Sequence, residues 1–216
     1  MRLAVLVSGR GSNLAAVLDA VAGGRLAGVD PVLVVSNRRA VPGLGVAEAH
    51  RVPSVVLERS GFPSADARDA AIGNAVSGAG ADIVLLAGYD QLLRRPYFDA
   101  FRGHTINIHP SLLPRHGGRG MMGQAVHAAV LAAGDMETGA TIHEVTAELD
   151  AGPVIAQERL AVRAGEKAAD LAARVLAVEH ALLVRTLHSL AAEGSFAGAS
   201  DRMAAVPGGG DARVDP

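Results

Sequence analysis

What most restricts the architecture of this chain is a repeated alternation: apolar runs of strand length, each followed by a stretch with helical spacing. Arg2–Ser8, Pro31–Ser36, Pro53–Leu57 and Asp82–Ala87 are short runs rich in Val, Leu and Ile, as strands buried on both faces require. Between them, Ser12–Ala22 carries Leu14, Val17, Leu18 and Val21 at helical intervals, and a short helix closes at Ala47–His50. Ser64–Val76 reads as an amphipathic helix with a charged face at Asp66, Arg68 and Asp69. Strands separated by helices pair in parallel through crossovers, which puts helices on both faces. An α/β, Rossmann-like fold with a mostly parallel central sheet is expected. Further on, Thr105–Ile108 reads as a strand, Gln124–Ala133 as a helix and Thr138–Thr146 as a strand. Pro153–Gln157 pairs back as a C-terminal hairpin, and Lys167–Leu190 is a long helix with Leu171, Val175, Val178, Leu182 and Leu183 inward. Residues 1–194 are expected to form one domain. Residues 195–216, which include the glycine-rich Val206–Pro216, have little to bury and are expected to be a partly flexible tail.

Polar groups occur where this pattern ends strands. In Thr105-Ile-Asn-Ile-His-Pro-Ser-Leu-Leu-Pro114, Ile106 and Ile108 share one strand face and Asn107 points to the other. Pro110 lacks an amide proton and restricts its predecessor, so His109 sits in extended geometry at the carboxyl end of the strand. That edge is where open α/β sheets bind ligands. Downstream, Leu149-Asp-Ala-Gly-Pro153 turns between two apolar strands and offers a carboxylate, Asp150. After the first strand, Gly9-Arg-Gly-Ser-Asn13 lets several amide N–H groups turn inward at a helix N-terminus, which suits an anion. It lacks the Lys-Ser/Thr pair of a nucleotide-triphosphate loop, and Leu14 replaces the third glycine of a dinucleotide fold. A tight turn capped by Ser12 or Asn13 is the alternative reading.

Asn107-Ile-His-Pro-Ser-Leu-Leu-Pro114 followed by Leu149-Asp-Ala-Gly-Pro153 resembles the signature of the folate-dependent formyltransferases, most of all the branch acting on glycinamide ribonucleotide. The likeness runs from Met1 to about Leu190. It implies a catalytic set of Asn107, His109 and Asp150, with 10-formyltetrahydrofolate as co-substrate and no metal. It implies that Gly11, Ser12 and Asn13 hold the substrate phosphate and that Glu179 contacts the glycinamide portion. Asp90, Gln91, Leu92 and Leu93 would line the folate site together with Asn107 and the Thr146, Ala147, Glu148, Leu149, Asp150 segment. Asp90 and Gln91 depart from the Met-Arg pair usual there, and Ala65 falls where the family often has an arginine that contacts the folate tail. The Arg115–Gly123 loop, rich in glycine, aligns with the loop that closes over the ribonucleotide. His143 is expected to be structural or at most to line the pocket.

Composition narrows the partners. Twenty Lys and Arg against 22 Asp and Glu give a formal net charge of −2 without a basic run, which argues against a nucleic-acid surface. No cysteine is present, so thiolate metal sites and disulfides are excluded. The run Leu3–Val7 is too short for a membrane span or a signal-peptide core. A cytoplasmic monomer or homodimer acting on small molecules is expected. Formyl transfer to methionyl-tRNA would call for a further RNA-binding domain, and hydrolysis of formyltetrahydrofolate for an N-terminal regulatory one. A silent binder of a phosphorylated metabolite would not need Asn107, His109 and Asp150 together.

Overall fold

The computed structural model describes residues 1–193; the expected tail at 195–216 lies outside the described residues. The strands are β1 (Arg2–Val7), β2 (Asp30–Ser36), β3 (Ser54–Val56), β4 (Ile83–Leu86), β5 (His104–His109), β6 (Glu137–Glu144) and β7 (Val154–Ala161). The helices are α1 (Ser12–Ala22), α2 (Pro42–Ala49), α3 (Ala65–Gly78), α4 (Arg95–Ala100), α5 (Gln124–Ala132) and α6 (Ala168–Glu193). Among the described residues one seven-stranded sheet runs in the order β3-β2-β1-β4-β5-β6-β7. The first five strands pair in parallel, while β6 is antiparallel to β5 and β7 antiparallel to β6. The chain leaves β1 towards β2 on one side and later returns to its other side as β4. Such a reversal opens a crevice at the carboxyl ends of the strands. The loops after β1 and β4 border it.

Alternating side chains divide the core between the two faces. Leu3, Val5, Val7, Ile83, Leu85, Ile106 and Ile108 pack with Leu14, Val17 and Leu18 of α1 and with Leu182, Leu183 and Leu187 of α6. Ala4, Leu6, Val84 and Leu86 face Ile72 and Val76 of α3 and Tyr97 of α4. Fully burying one such Leu, Val or Ile contributes about 1.5–3 kcal/mol, so the alternation pins the register. By length and composition α6 is apolar enough to cross a membrane. Here Leu171, Val175, Leu182, Leu183, Leu187 and Leu190 are buried, the first two beside Val130 of α5.

Two local expectations are revised. Arg68 and Asp69, read with Asp66 as the charged face of an amphipathic helix, are 1% and 0% exposed. Arg68 donates to Asp69 through Nε and Nη2, at 2.9 and 2.5 Å, and through Nη1 to Gln91 Oε1 at 2.9 Å. Asp69 also accepts the backbone N–H of Arg94 at 3.0 Å. Burial of these charges is tolerated because each is paired and hydrogen-bonded. Helical periodicity does not register the segment after β4 that covers this side of α3. That segment itself contains α4, six residues long and too short for a helical period to show, with Pro96 in its first turn.

Candidate active site

Sheet register assembles the polar cluster. Asn107 on β5 and His143 on β6 are direct cross-strand partners, and the Asn107 amide Nδ2 lies 3.1 Å from His143 Nε2. His143 Nδ1 is 2.8 Å from the carbonyl oxygen of Glu144. A carbonyl only accepts, so Nδ1 carries the proton and Nε2 is left as the acceptor for Asn107. Burial holds the His143 pKa below the ordinary imidazole value, against the opposing pull of the Glu144 carbonyl and Asp150. Neutral His143 therefore fixes the Asn107 amide with its N–H groups in a defined direction.

The connection from β6 to β7 brings in the carboxylate. Asp150 has a φ of 52°, a left-handed conformation that Asp tolerates better than most residues. Two residues later a side chain at Gly152 would place Cβ 1.9 Å from the Glu144 carbonyl oxygen. Only glycine lets the turn pass that close. Asp150 Oδ2 accepts the Gly118 N–H at 2.8 Å and lies 3.8 Å from His109 Nδ1. Its Oδ1 is 3.7 Å from His143 Nε2. His109 is buried, and its Nε2 donates to the His116 carbonyl at 2.9 Å. Nδ1 is thus the nitrogen turned to Asp150, across a gap too long for a direct hydrogen bond. Asn107, His109 and Asp150, expected to act together, do converge, and His143 lies between Asn107 and Asp150.

The loop after β1 meets α6. Gly11 caps α1 with φ 75°, and a Cβ there would come within 2.6 Å of the Gly43 Cα. Both conformation and space demand glycine. Ser12 and Asn13 open the helix, so unpaired amides and the positive end of the dipole face the loop. The Asn13 side chain hydrogen-bonds Glu179, which is 7% exposed and has its pKa pushed up to about 7 by burial, against that bond. The Asn13 amide oxygen is buried without a hydrogen-bond partner. Phosphate-loop and glycinamide-binding candidates are therefore in contact, and one of their acceptors is unfilled.

The expected folate segments are less uniform. Asp90 binds Arg38 and, at 2.7 Å, the amide of Asn37, while its backbone N–H donates to Ser8 Oγ at 3.0 Å. The two departures from the usual Met-Arg pair thus tie the end of β4 to neighbouring segments: Asp90 to the ends of β1 and β2, Gln91 to Arg68. Leu93 is buried in the core on the α3 side, whereas Leu92 and Leu149 are exposed apolar side chains. Thr146 Oγ1 accepts the Glu148 N–H at 3.2 Å, a local turn that leaves Ala147 and Glu148 exposed. The Arg115–Gly123 loop is anchored at its start by His116 and Gly118, with φ positive at Gly118, Gly120 and Gly123.

His143, expected to be structural or at most to line the pocket, is brought against Asn107 by the β5–β6 register. His127 on α5 is buried with Nδ1 unpartnered, and its pKa is lowered by burial and by the charge of nearby His109. A His on an otherwise apolar helix carries no local signal for such a position.

A profile of the formyl transferase family, described as Formyl transferase, matches residues 1–187. The chain is 37% identical to phosphoribosylglycinamide formyltransferase of Escherichia coli (strain K12) over 182 residues, covering 84% of this chain and 83% of that protein. It is 37% identical over 203 residues to the trifunctional purine biosynthetic protein adenosine-3 of Bos taurus, but spans only 19% of that protein's length. Among solved structures, glycinamide ribonucleotide transformylase 1 from Symbiobacterium toebii superposes with a TM-score of 0.83 at 36% identity, covering 89% of this chain and 88% of that one. A match running from the first residue through most of α6, with the fold reproduced over the same span, establishes that this chain belongs to the formyl transferase family.

Proposed function

We propose that the chain is a phosphoribosylglycinamide formyltransferase: it moves a formyl group from 10-formyltetrahydrofolate to the amine of glycinamide ribonucleotide, yielding formylglycinamide ribonucleotide and tetrahydrofolate in purine biosynthesis. It acts in the cytoplasm as a monomer or homodimer, with residues 1–194 as the catalytic unit. The observation that carries this reading is the convergence of Asn107, His109, His143 and Asp150, with spacings of 3.1 to 3.8 Å.

In the reaction the substrate amine bonds to the formyl carbon, whose oxygen takes up the electron pair. The bond from that carbon to N10 then breaks, and the proton shed by the amine ends on N10. The tetrahedral oxygen is the charge the protein must stabilise, and a single oriented donor at such a site is typically worth about 3 to 4 kcal/mol of barrier. Asn107 supplies a neutral donor whose direction is set by His143. His109 supplies a charged donor when protonated, through the Nδ1 that faces Asp150. Asp150 balances that charge and holds the water that carries the proton between nitrogens. Ribonucleotide phosphate binds at Gly11, Ser12 and Asn13, Glu179 receives the glycinamide end, and folate lies along Asp90–Leu93 and Thr146–Asp150.

Mixing the protein with glycinamide ribonucleotide and a formylfolate whose absorbance changes on deformylation tests this directly. A change that requires both substrates is expected. Loss of the formyl group without ribonucleotide would point to a hydrolase, and ribonucleotide binding by calorimetry with no transfer would point to a silent binder.

A further inference from the structure

The His109 ring is held by a contact that none of the expected catalytic residues makes. Its Nε2 donates to the backbone carbonyl of His116 at 2.9 Å, and Ser111 Oγ approaches the same carbonyl at 3.5 Å. His116 is not a glycine, yet its φ is 53°. Something must keep it there, because side-chain-bearing residues rarely adopt this conformation. The His116 imidazole supplies the hold: its Nε2 lies 2.7 Å from Asp135 Oδ2, while Arg115 binds Oδ1 of the same carboxylate. Asp135 is itself fixed, since it follows the end of α5, its N–H donates to the Val130 carbonyl at 3.3 Å, and its side chain is nearly buried. The hydrogen bond from His116, helped by Arg115, holds the Asp135 carboxyl below its ordinary pKa, as a stable anionic anchor.

We propose that Asp135 is a positioning residue for the reaction, acting through His116 to fix the His116 carbonyl and with it the tautomer and direction of His109. A neutral imidazole places its single proton according to the acceptors around it. With the carbonyl in place the proton sits on Nε2, and Nδ1 remains turned to Asp150 as the nitrogen that gains and delivers a proton. With the carbonyl displaced, Nδ1–H facing the Asp150 carboxylate becomes the competing form, and the ring is free to rotate. This role rests on His109 serving formyl transfer, the function proposed above.

The test uses the full chain. Formyl transfer is measured for the wild type, Asp135→Ala, His116→Ala and the double variant, and the ring nitrogens of His109 are followed by 15N NMR on histidine-labelled protein, assigned through a His109→Gln variant. Each single change is expected to lower kcat about tenfold, less than the roughly hundredfold of a fully misplaced catalytic group, with both Michaelis constants within about twofold. The double variant is expected to lose about tenfold as well, because both residues act through one carbonyl. In all three the His109 signals should shift from an Nε2-protonated pattern towards a tautomer mixture. A loss of about a hundredfold in the double variant, or an unchanged kcat and tautomer with only a lower melting temperature, overturns the proposal. If Asp135→Ala does not fold, His116→Ala decides by the same two readouts. If the wild type transfers no formyl group, the functional reading fails, while the His109 nitrogen shifts alone still decide whether Asp135 orients the ring.

Discussion

The cluster on β5 and β6 and the pair formed by α1 and α6 hold polar groups in opposite ways. In the cluster, Asn107, His109, His143 and Asp150 each have a protein partner at hydrogen-bond distance, set by strand register or by the Gly118 loop. Across the sheet, Asn13 keeps a buried acceptor unpaired, and Glu179 is enclosed deeply enough to favour its neutral form. A reacting centre needs donors already aimed where charge develops, since reorganising them during the reaction adds to the barrier. A binding pocket can stay short of partners until its ligand brings them.

The sharpest way to break this contrast is Asp150→Asn. It removes the charge that balances His109 and is expected to lower kcat about a thousandfold, roughly 4 kcal/mol, with the ribonucleotide Michaelis constant nearly unchanged. Near-normal turnover would mean the cluster does not do the chemistry. Glu179 is the counterpart on the binding side, and its effect should appear in stability. Its pKa is about 7 in the folded chain against an ordinary 4.5. The contribution of this group is therefore fully present below about pH 4.5 and lost as the pH rises through about 7, roughly 3 kcal/mol in all. Glu179→Gln stays neutral throughout. Urea unfolding should find it more stable than the wild type at pH 8 by up to that amount, with the gap closing towards pH 4. An equal gap at both pH values would contradict a raised Glu179.

Two smaller effects are expected, at His143 and at Asn13. His143→Ala leaves the Asn107 amide without its acceptor and is expected to lower kcat by roughly thirtyfold, about 2 kcal/mol, without altering either Michaelis constant more than a few-fold. A selective rise in the folate Michaelis constant would instead make His143 a binding group. Asn13→Ala should raise the ribonucleotide Michaelis constant about tenfold, near 1.4 kcal/mol, and leave kcat within twofold. A fall in kcat alone would move Asn13 from binding into the reaction.

Much of the fold was legible because its signals are local. The runs at Leu3–Val7 and Ile83–Leu86 are apolar on both faces, and Ser64 caps α3 by accepting the Ala67 N–H at 3.0 Å. The glycine at position 11 was expected to permit an unusual turn and does so at φ 75°. Arg68 and Asp69 are buried rather than solvent-facing because Gln91 and Arg94 come from another segment, and the partners that His143 meets, Asn107 and Asp150, are equally remote along the chain. Short α4 has too few residues for its periodicity to stand out.

The succession of strands and helices apart from short α4, the parallel crossovers, the glycine loop ahead of α1 and the residue types able to carry formyl transfer are written in the sequence. These follow from hydrophobic period and backbone freedom, which act over a few residues. Tertiary structure alone decided which nitrogen of His109 meets Asp150, that His143 faces Asn107, and that Asn13 touches Glu179. Those contacts join positions far apart along the chain. Their geometry is set by sheet register, by helices packing onto the sheet and by how a loop folds back over it, and no local pattern encodes those distances.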